Sequence, residues 1–213
     1  MNDGSNAFVS RLPMWKLLKN KVLFLLVIVL ATAFQGCQRS YQPKPKGYNR
    51  LILPGHDYVL SPDTLPYRFE YSAHAKLLRD TSWIREKHWV EIYYPTLHAT
   101  IHVTYKTINH SDKLLREYLQ DAYVLTAKHQ IKAYAIDETI VRTPGGKTAV
   151  IAELEGEVPS QFQFTLTDST MNFLRGAVYF NVKVQNDSLQ PAIEYLKRDA
   201  MQLINTLEWR HPK

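Results

Sequence analysis

The stretch "QFQFTLTDSTMNFLRGAVYF", residues 161 to 180, decides the fold class. Phe162, Phe164 and Leu166 alternate with Gln161, Gln163 and Thr165, and beyond a polar turn Leu174, Gly176, Val178 and Phe180 alternate with Arg175, Ala177 and Tyr179. A period of two marks a strand with one covered face. Turning the chain around Ser169 to Met171 sets Leu166 beside Leu174 and Phe164 beside Gly176, so both apolar faces agree; a slip of one residue would put them on opposite sides. The pattern therefore predicts an antiparallel hairpin in which the Phe164 ring lies over the side-chain-free Gly176. Asp168, Ser169 and Thr170, with Arg175 close behind, form a candidate interaction edge. The competing reading is an ordinary Asx or Ser/Thr turn with Arg175 facing solvent, since these residues readily hydrogen-bond their own backbone.

More strands lie on either side. "YRFEYS" from Tyr67 alternates in the same way, "AHAKLLR" fits a short strand, and "HWVEIYYPTLHATIHVTYKTI" reads as two strands broken near Pro95 and Thr96. Val90, Ile92, Tyr94, Leu97, Ala99, Ile101 and Val103 would collect on one face. Strands are expected around Tyr134 to Arg142 and Lys147 to Glu157, joined by the turn residues "TPGGK". Two segments carry helical spacing instead. Ser111 is a natural N-cap for "DKLLREYLQDAYVLTAKH", in which Leu115, Leu119, Ala122 and Tyr123 recur on one side. "PAIEYLKRDAMQLINTLEW" offers Pro191 for the first helical position and an apolar stripe of Ile193, Leu196, Ala200, Leu203, Ile204 and Leu207, with Lys197, Arg198 and Asp199 outside it. The expected fold is α+β: an antiparallel sheet covered by helices, forming one domain over residues 67 to 213.

The N-terminal part reads as an address. Lys16, Lys19 and Lys21 precede 13 apolar residues, "VLFLLVIVLATAF", and then Gly36 and Cys37, the single cysteine. A positive region followed by a short apolar run is signal-peptide order, and the run falls short of the ~20 residues that span a bilayer. Met14, followed by "WKLLKNK", makes a more typical start than Met1. The segment "AFQGC" resembles the lipobox of bacterial lipoproteins, with Phe34 atypical in its place. That resemblance implies cleavage after residue 36 and diacylglycerol on Cys37, and more than one acyl chain makes such an anchor stable. Residues 37 to 66 are expected to be a lipidated tether, stiffened by Pro43 and Pro45.

Composition removes several functions. The net charge of +6 is partly local: four basic residues and one acidic residue precede Cys37, leaving 22 basic and 19 acidic. The remaining excess is too small, and too scattered, for nucleic acid. One cysteine makes no intramolecular disulfide and no thiolate zinc site. "PGGKT" lacks the upstream glycine and following helix of a phosphate loop. His98 and His102, read as strand residues, lie about 13 Å apart at ~3.3 Å per residue, too far to share one zinc. There is no Gly-x-Ser-x-Gly elbow and no selected pair of carboxylates. No catalytic residue, metal or cofactor is expected. A pocket between sheet and helix, gathering Trp83 and Trp89, would make a small-ligand-binding module the alternative, and a convergent cluster of buried carboxylates or histidines would revive an enzyme.

Taken in order, the lipobox cysteine, "PKPKGYNRLILP", "PYRFEYS", "WVEIYYPTLHATIHVTYK" and "QFQFTLTDSTMNFLRGAVYF" resemble the gliding motility lipoprotein GldD family over nearly the whole chain after Cys37. The resemblance implies an envelope lipoprotein required for gliding motility and linked to type IX secretion, held to membrane lipid through Cys37 and meeting other envelope proteins of that machinery. It carries over no catalytic residue. The order of elements also loosely resembles the PsbP/Mog1-type α+β fold. Gln38, Arg39 and Ser40 lack the acidic run that resembles a surface-export signal in such bacteria, so the domain is expected to face the periplasm, on either membrane.

Overall fold

A computed structural model describes residues 51–181 and 186–210, with the backbone alone for 186–188, together with Lys19 and 23–26 of the N-terminal part, which are helical. The apolar run apart from 23–26, the cleavage site, Cys37 and the tether as far as residue 50 lie outside the described residues. Among the described residues, no helix is long and apolar enough to cross a membrane. The chain divides into two units, Met1–Gly47 and Tyr48–Lys213.

The second unit is built on a seven-stranded antiparallel sheet. In chain order the strands are β1 (Tyr58–Leu60), β2 (Tyr67–Arg68), β3 (Glu70–Ser72), β4 (Lys76–Arg79), β5 (Val90–Tyr94), β6 (Ala99–Thr107), β7 (Ala133–Arg142), β8 (Thr148–Gly156), β9 (Phe162–Thr167), β10 (Asn172–Phe180) and β11 (Glu208–Trp209). The large sheet runs β4-β5-β6-β10-β9-β8-β7, and the pairs β1–β3 and β11–β2 lie apart from it. The hairpin pairs as its alternation predicts, Leu166 with Leu174 and Phe164 with Gly176. The "TPGGK" segment closes a hairpin: Thr143 N–H donates to the Lys147 carbonyl, and Gly146 takes φ +75°, which glycine adopts without cost.

Helix α1 (Asp112–Ala127) is capped by Ser111, whose Oγ accepts from Leu114 N–H at 3.3 Å, and it continues into a 3-10 turn over Lys128–Ile131. Helix α2 (Asn186–Thr206) lies on the inner face of the sheet. Leu196, Ala200, Leu203, Ile204 and Leu207 are buried there among Val90, Ile92, Tyr94, Ala99, Ile101, Phe164, Leu174 and Val178. Burying each large aliphatic side chain is worth roughly 1.5–3 kcal/mol, so this face is the main cohesive element of the domain. The aromatic alternation of "YRFEYS" serves the same core, with Tyr67 and Phe69 both fully buried.

Three expectations change. Pro191 sits inside α2 rather than opening it, because "NDSLQ" extends the helix toward its N-terminus. A proline there leaves one main-chain bond unmade. Folded chain also begins before Tyr67: β1 pairs with β3, and Leu51, Leu53 and Leu65 pack against the core. Finally, α1 covers its face of the sheet only in part. Ala122 and Thr126 are buried, whereas Leu119 and Tyr123 of the same stripe are exposed.

Candidate functional site

The structure resolves the polar turn 168–172 into a self-satisfied unit. Asp168 Oδ1 accepts backbone N–H bonds from Thr170, Met171 and Asn172 at 3.0, 2.8 and 2.8 Å, and Oδ2 accepts from the Asn172 side chain. Ser169 takes φ +61°. The turn is fastened to the β6–α1 loop, where Ile108 and His110 N–H donate to the carbonyls of Met171 and Thr170. Burial by itself would push the Asp168 carboxyl up; the bonds from Asn172, Thr170 and Met171 outweigh it and hold the group at about 2.

That arrangement has an acid signature. A carboxylate with a depressed folded-state value stabilises fully above its ordinary value of 3.8 and loses that contribution as pH falls through about 2. Allowing for partial exposure, the contribution is about 1.5 kcal/mol. Urea unfolding between pH 5 and pH 2.5 checks this: wild type should lose stability relative to Asp168→Ala across that range, and parallel curves would refute it.

Arg175 does not join the turn. It lies on the outer sheet face beneath α1, where its Nη2 donates to Gln163 Oε1 at 2.6 Å. Thr126 Oγ1 of α1 donates to the same oxygen at 3.1 Å. Burial lowers the Arg175 pKa. Four candidate residues within eight positions of one another are thus split. Asp168 is used up by its own turn, Ser169 and Thr170 are exposed at its tip, and Arg175 is half-buried at the foot of a groove.

The structure also assembles a constellation that reading along the chain missed. Asp199 lies outside the apolar stripe only if that stripe is drawn from hydrophobic residues alone. It stands three residues after Leu196 and four before Leu203, so the helix turns it inward. Its side chain is 1% exposed. Oδ2 accepts from Tyr94 OH at 3.0 Å; Oδ1 accepts from Tyr58 OH at 3.0 Å and from His56 Nδ1–H at 2.8 Å. Tyr195, one turn earlier, stacks on His56 with ring centroids 4.6 Å apart and donates to the Gly55 carbonyl. Burial, reinforced by the charge of Asp199 and its hydrogen bond, pushes the Tyr94 and Tyr58 hydroxyls up, so both stay protonated donors. Both carboxylate oxygens of Asp199 are engaged by the chain's own groups. The cluster works as a clasp between residues 55–58, β5 and α2.

The remaining candidates stay dispersed. His98 sits in the β5–β6 turn at φ +46°, and His102 Nδ1 is 3.6 Å from Glu91. Among the described residues, no group of three or more His, Cys, Asp or Glu is placed to hold a metal. Trp83 is 93% exposed, while Trp89 is half-buried and donates from Nε1 to the Tyr105 carbonyl. The two tryptophans do not gather between sheet and helix. The cleft of about 400 Å³ beside Trp89 is lined instead by Arg79, Asp80, Arg85, Glu86 and Lys87.

The family model described as gliding motility lipoprotein GldD matches residues 38–209. The chain belongs to the gliding motility lipoprotein GldD family. Membership makes it a lipoprotein of gliding motility, of the cell envelope. A search of curated proteins finds no match. Among solved structures, the chain is similar to cyanobacterial PsbP (CyanoP) from Synechocystis sp. PCC 6803, with 10% identity, 78% of this chain and 99% of that one covered, and a TM-score of 0.43.

Proposed function

We propose that this GldD-family chain is anchored by lipid at Cys37 and serves as a non-catalytic accessory of the gliding and type IX secretion machinery. Its α+β body would face the periplasm and act through protein contacts. The observation that carries the reading is the family match, which begins at residue 38, one position beyond the cysteine of "AFQGC". The geometry supports it too: the buried polar residues that converge, around Asp199, are spent on holding the fold together.

Cys37→Ser tests the anchor. Labelled palmitate should no longer enter the protein. The body should appear in the soluble fraction or as unprocessed precursor, and colonies should stop spreading. A labelled, normally sized, membrane-held variant in spreading cells would overturn the reading.

A further inference from the structure

The groove between α1 and the outer sheet face sets apolar lips over a polar floor. Leu119 and Tyr123 of α1 form one lip, 39% and 55% exposed, and Val150 and Glu138 form the other. Ile140, the register partner of Val150 on the edge strand β7, is 74% exposed and extends that apolar lip. Arg175 and Gln163 lie at the floor of a small cavity of about 90 Å³.

The floor is electrostatically one-sided. Among the described residues, no carboxylate comes within 4 Å of the Arg175 guanidinium; its acceptors are neutral groups, the Gln163 amide oxygen, shared with Thr126, and the Tyr179 hydroxyl. Because a guanidinium only donates, the Gln163 contact fixes the orientation of the amide, and Gln163 Nε2 is left buried with no acceptor. Gln163 is 2% exposed, so its amide is shut off from bulk solvent. A buried donor without a partner is costly, and a cation without a counter-ion beside it adds to the same positive field.

We infer that this groove takes an acidic side chain of a partner protein, presented between apolar residues. The carboxylate meets Arg175, and the flanking residues cover Leu119, Tyr123 and Ile140. The cavity admits a side chain rather than a larger molecule. Glu138 on the lip weakens the field at the entrance, so a free anion gains little and apolar contact has to supply the rest. This also accounts for an apolar stripe on α1 that runs beyond the sheet it covers. The inference rests on the protein-contact reading above and names the chemistry of the contact.

The test uses the full-length chain in its own cells, with the photo-crosslinker p-benzoylphenylalanine at position 123 on the lip. The expected adduct joins one protein through a peptide carrying Asp or Glu between apolar residues. Arg175→Glu should cut its yield at least about ten-fold, and reversing the partner's acid to lysine should restore it. Arg175→Lys should retain most of the yield. Leu119→Glu, an exposed change that leaves the floor intact, should cut the yield as Arg175→Glu does. It decides the matter if Arg175→Glu loses its cooperative thermal transition. No adduct, an adduct with lipid or a second copy of this chain, a peptide without an acid, or a yield indifferent to these changes would each overturn the inference. An acid-bearing partner with no part in gliding or secretion would keep the groove and remove the functional reading. Cys37-dependent spreading with no adduct would do the opposite.

Discussion

Asp199→Ala is expected to lower the unfolding free energy by about 3–4 kcal/mol, the cost of breaking a buried charged network rather than of deleting a small side chain. Three donors converge on this carboxylate, from Tyr94, Tyr58 and His56. Bonds to a charged acceptor contribute about 1.5–3 kcal/mol each when intact, but they share one group and do not add in full. The decisive term is the orphan left behind. Tyr94 is 2% exposed, so its hydroxyl is left buried without its acceptor once the carboxylate is gone. In urea unfolding the midpoint should fall with little change in slope, and the thermal midpoint should drop by about 10 °C. Tyr94→Phe removes the orphan along with its bond and should cost about 1–2 kcal/mol. The double variant should then cost clearly less than the sum, because Asp199→Ala no longer strands a hydroxyl. Hydrogen exchange should quicken first over residues 55–60, whose attachment to α2 runs through His56, Tyr58 and the Tyr195–Gly55 bond. A loss below 1 kcal/mol, or strict additivity, would mean that the cluster is incidental.

The contrast between Asp199 and the 161–180 hairpin shows what was legible in the chain. Alternation, turn chemistry and capping are local, so the hairpin, the β5–β6 pair, the Ser111 cap and the stripe of α2 can all be read from neighbours. Sheet order cannot. β6 lies against β10, pairing Val103 with Gly176, and a period of two says which face a residue occupies without saying which strand comes alongside. Arg175 shows the same limit. Its alternation places it correctly on the face opposite Leu174 and Val178, but whether that face meets water depends on α1, which folds back over it from elsewhere in the sequence. Asp199 was hidden by residue type, since a charged residue is expected outside. Its spacing from Leu196 and Leu203 already carried the signal. Its partners lie 105 to 143 residues away, and nothing in "GHDYV" marks His56 and Tyr58 as donors to a distant helix.

Gly176→Ala is expected to destabilise the domain by about 1–2 kcal/mol, against the usual direction for this change. In a strand interior, alanine normally gains about 0.5–1 kcal/mol over glycine through a less entropic unfolded chain. Here a Cβ on residue 176 would stand 2.1, 2.3 and 2.6 Å from Cζ, Cε1 and Cε2 of Phe164, well inside contact distance. The backbone has little room to yield. Gly176 is registered against Phe164 on one side and Val103 on the other, so relieving the clash by shifting β10 would strain both ladders. The ring has little room either, since Phe164 is 1% exposed among the core side chains. Overpacking of this kind costs about 1–3 kcal/mol, enough to reverse the entropic gain. The pair then makes its own control. Phe164→Leu alone should cost a few kcal/mol by thinning the core, yet it vacates the space the new methyl needs. Phe164→Leu with Gly176→Ala should therefore lose about 1–2 kcal/mol less than the two single changes together. Additive losses, or a Gly176→Ala variant within 0.5 kcal/mol of wild type in urea unfolding, would show that the ring moves aside freely and that no packing demand holds glycine at this position.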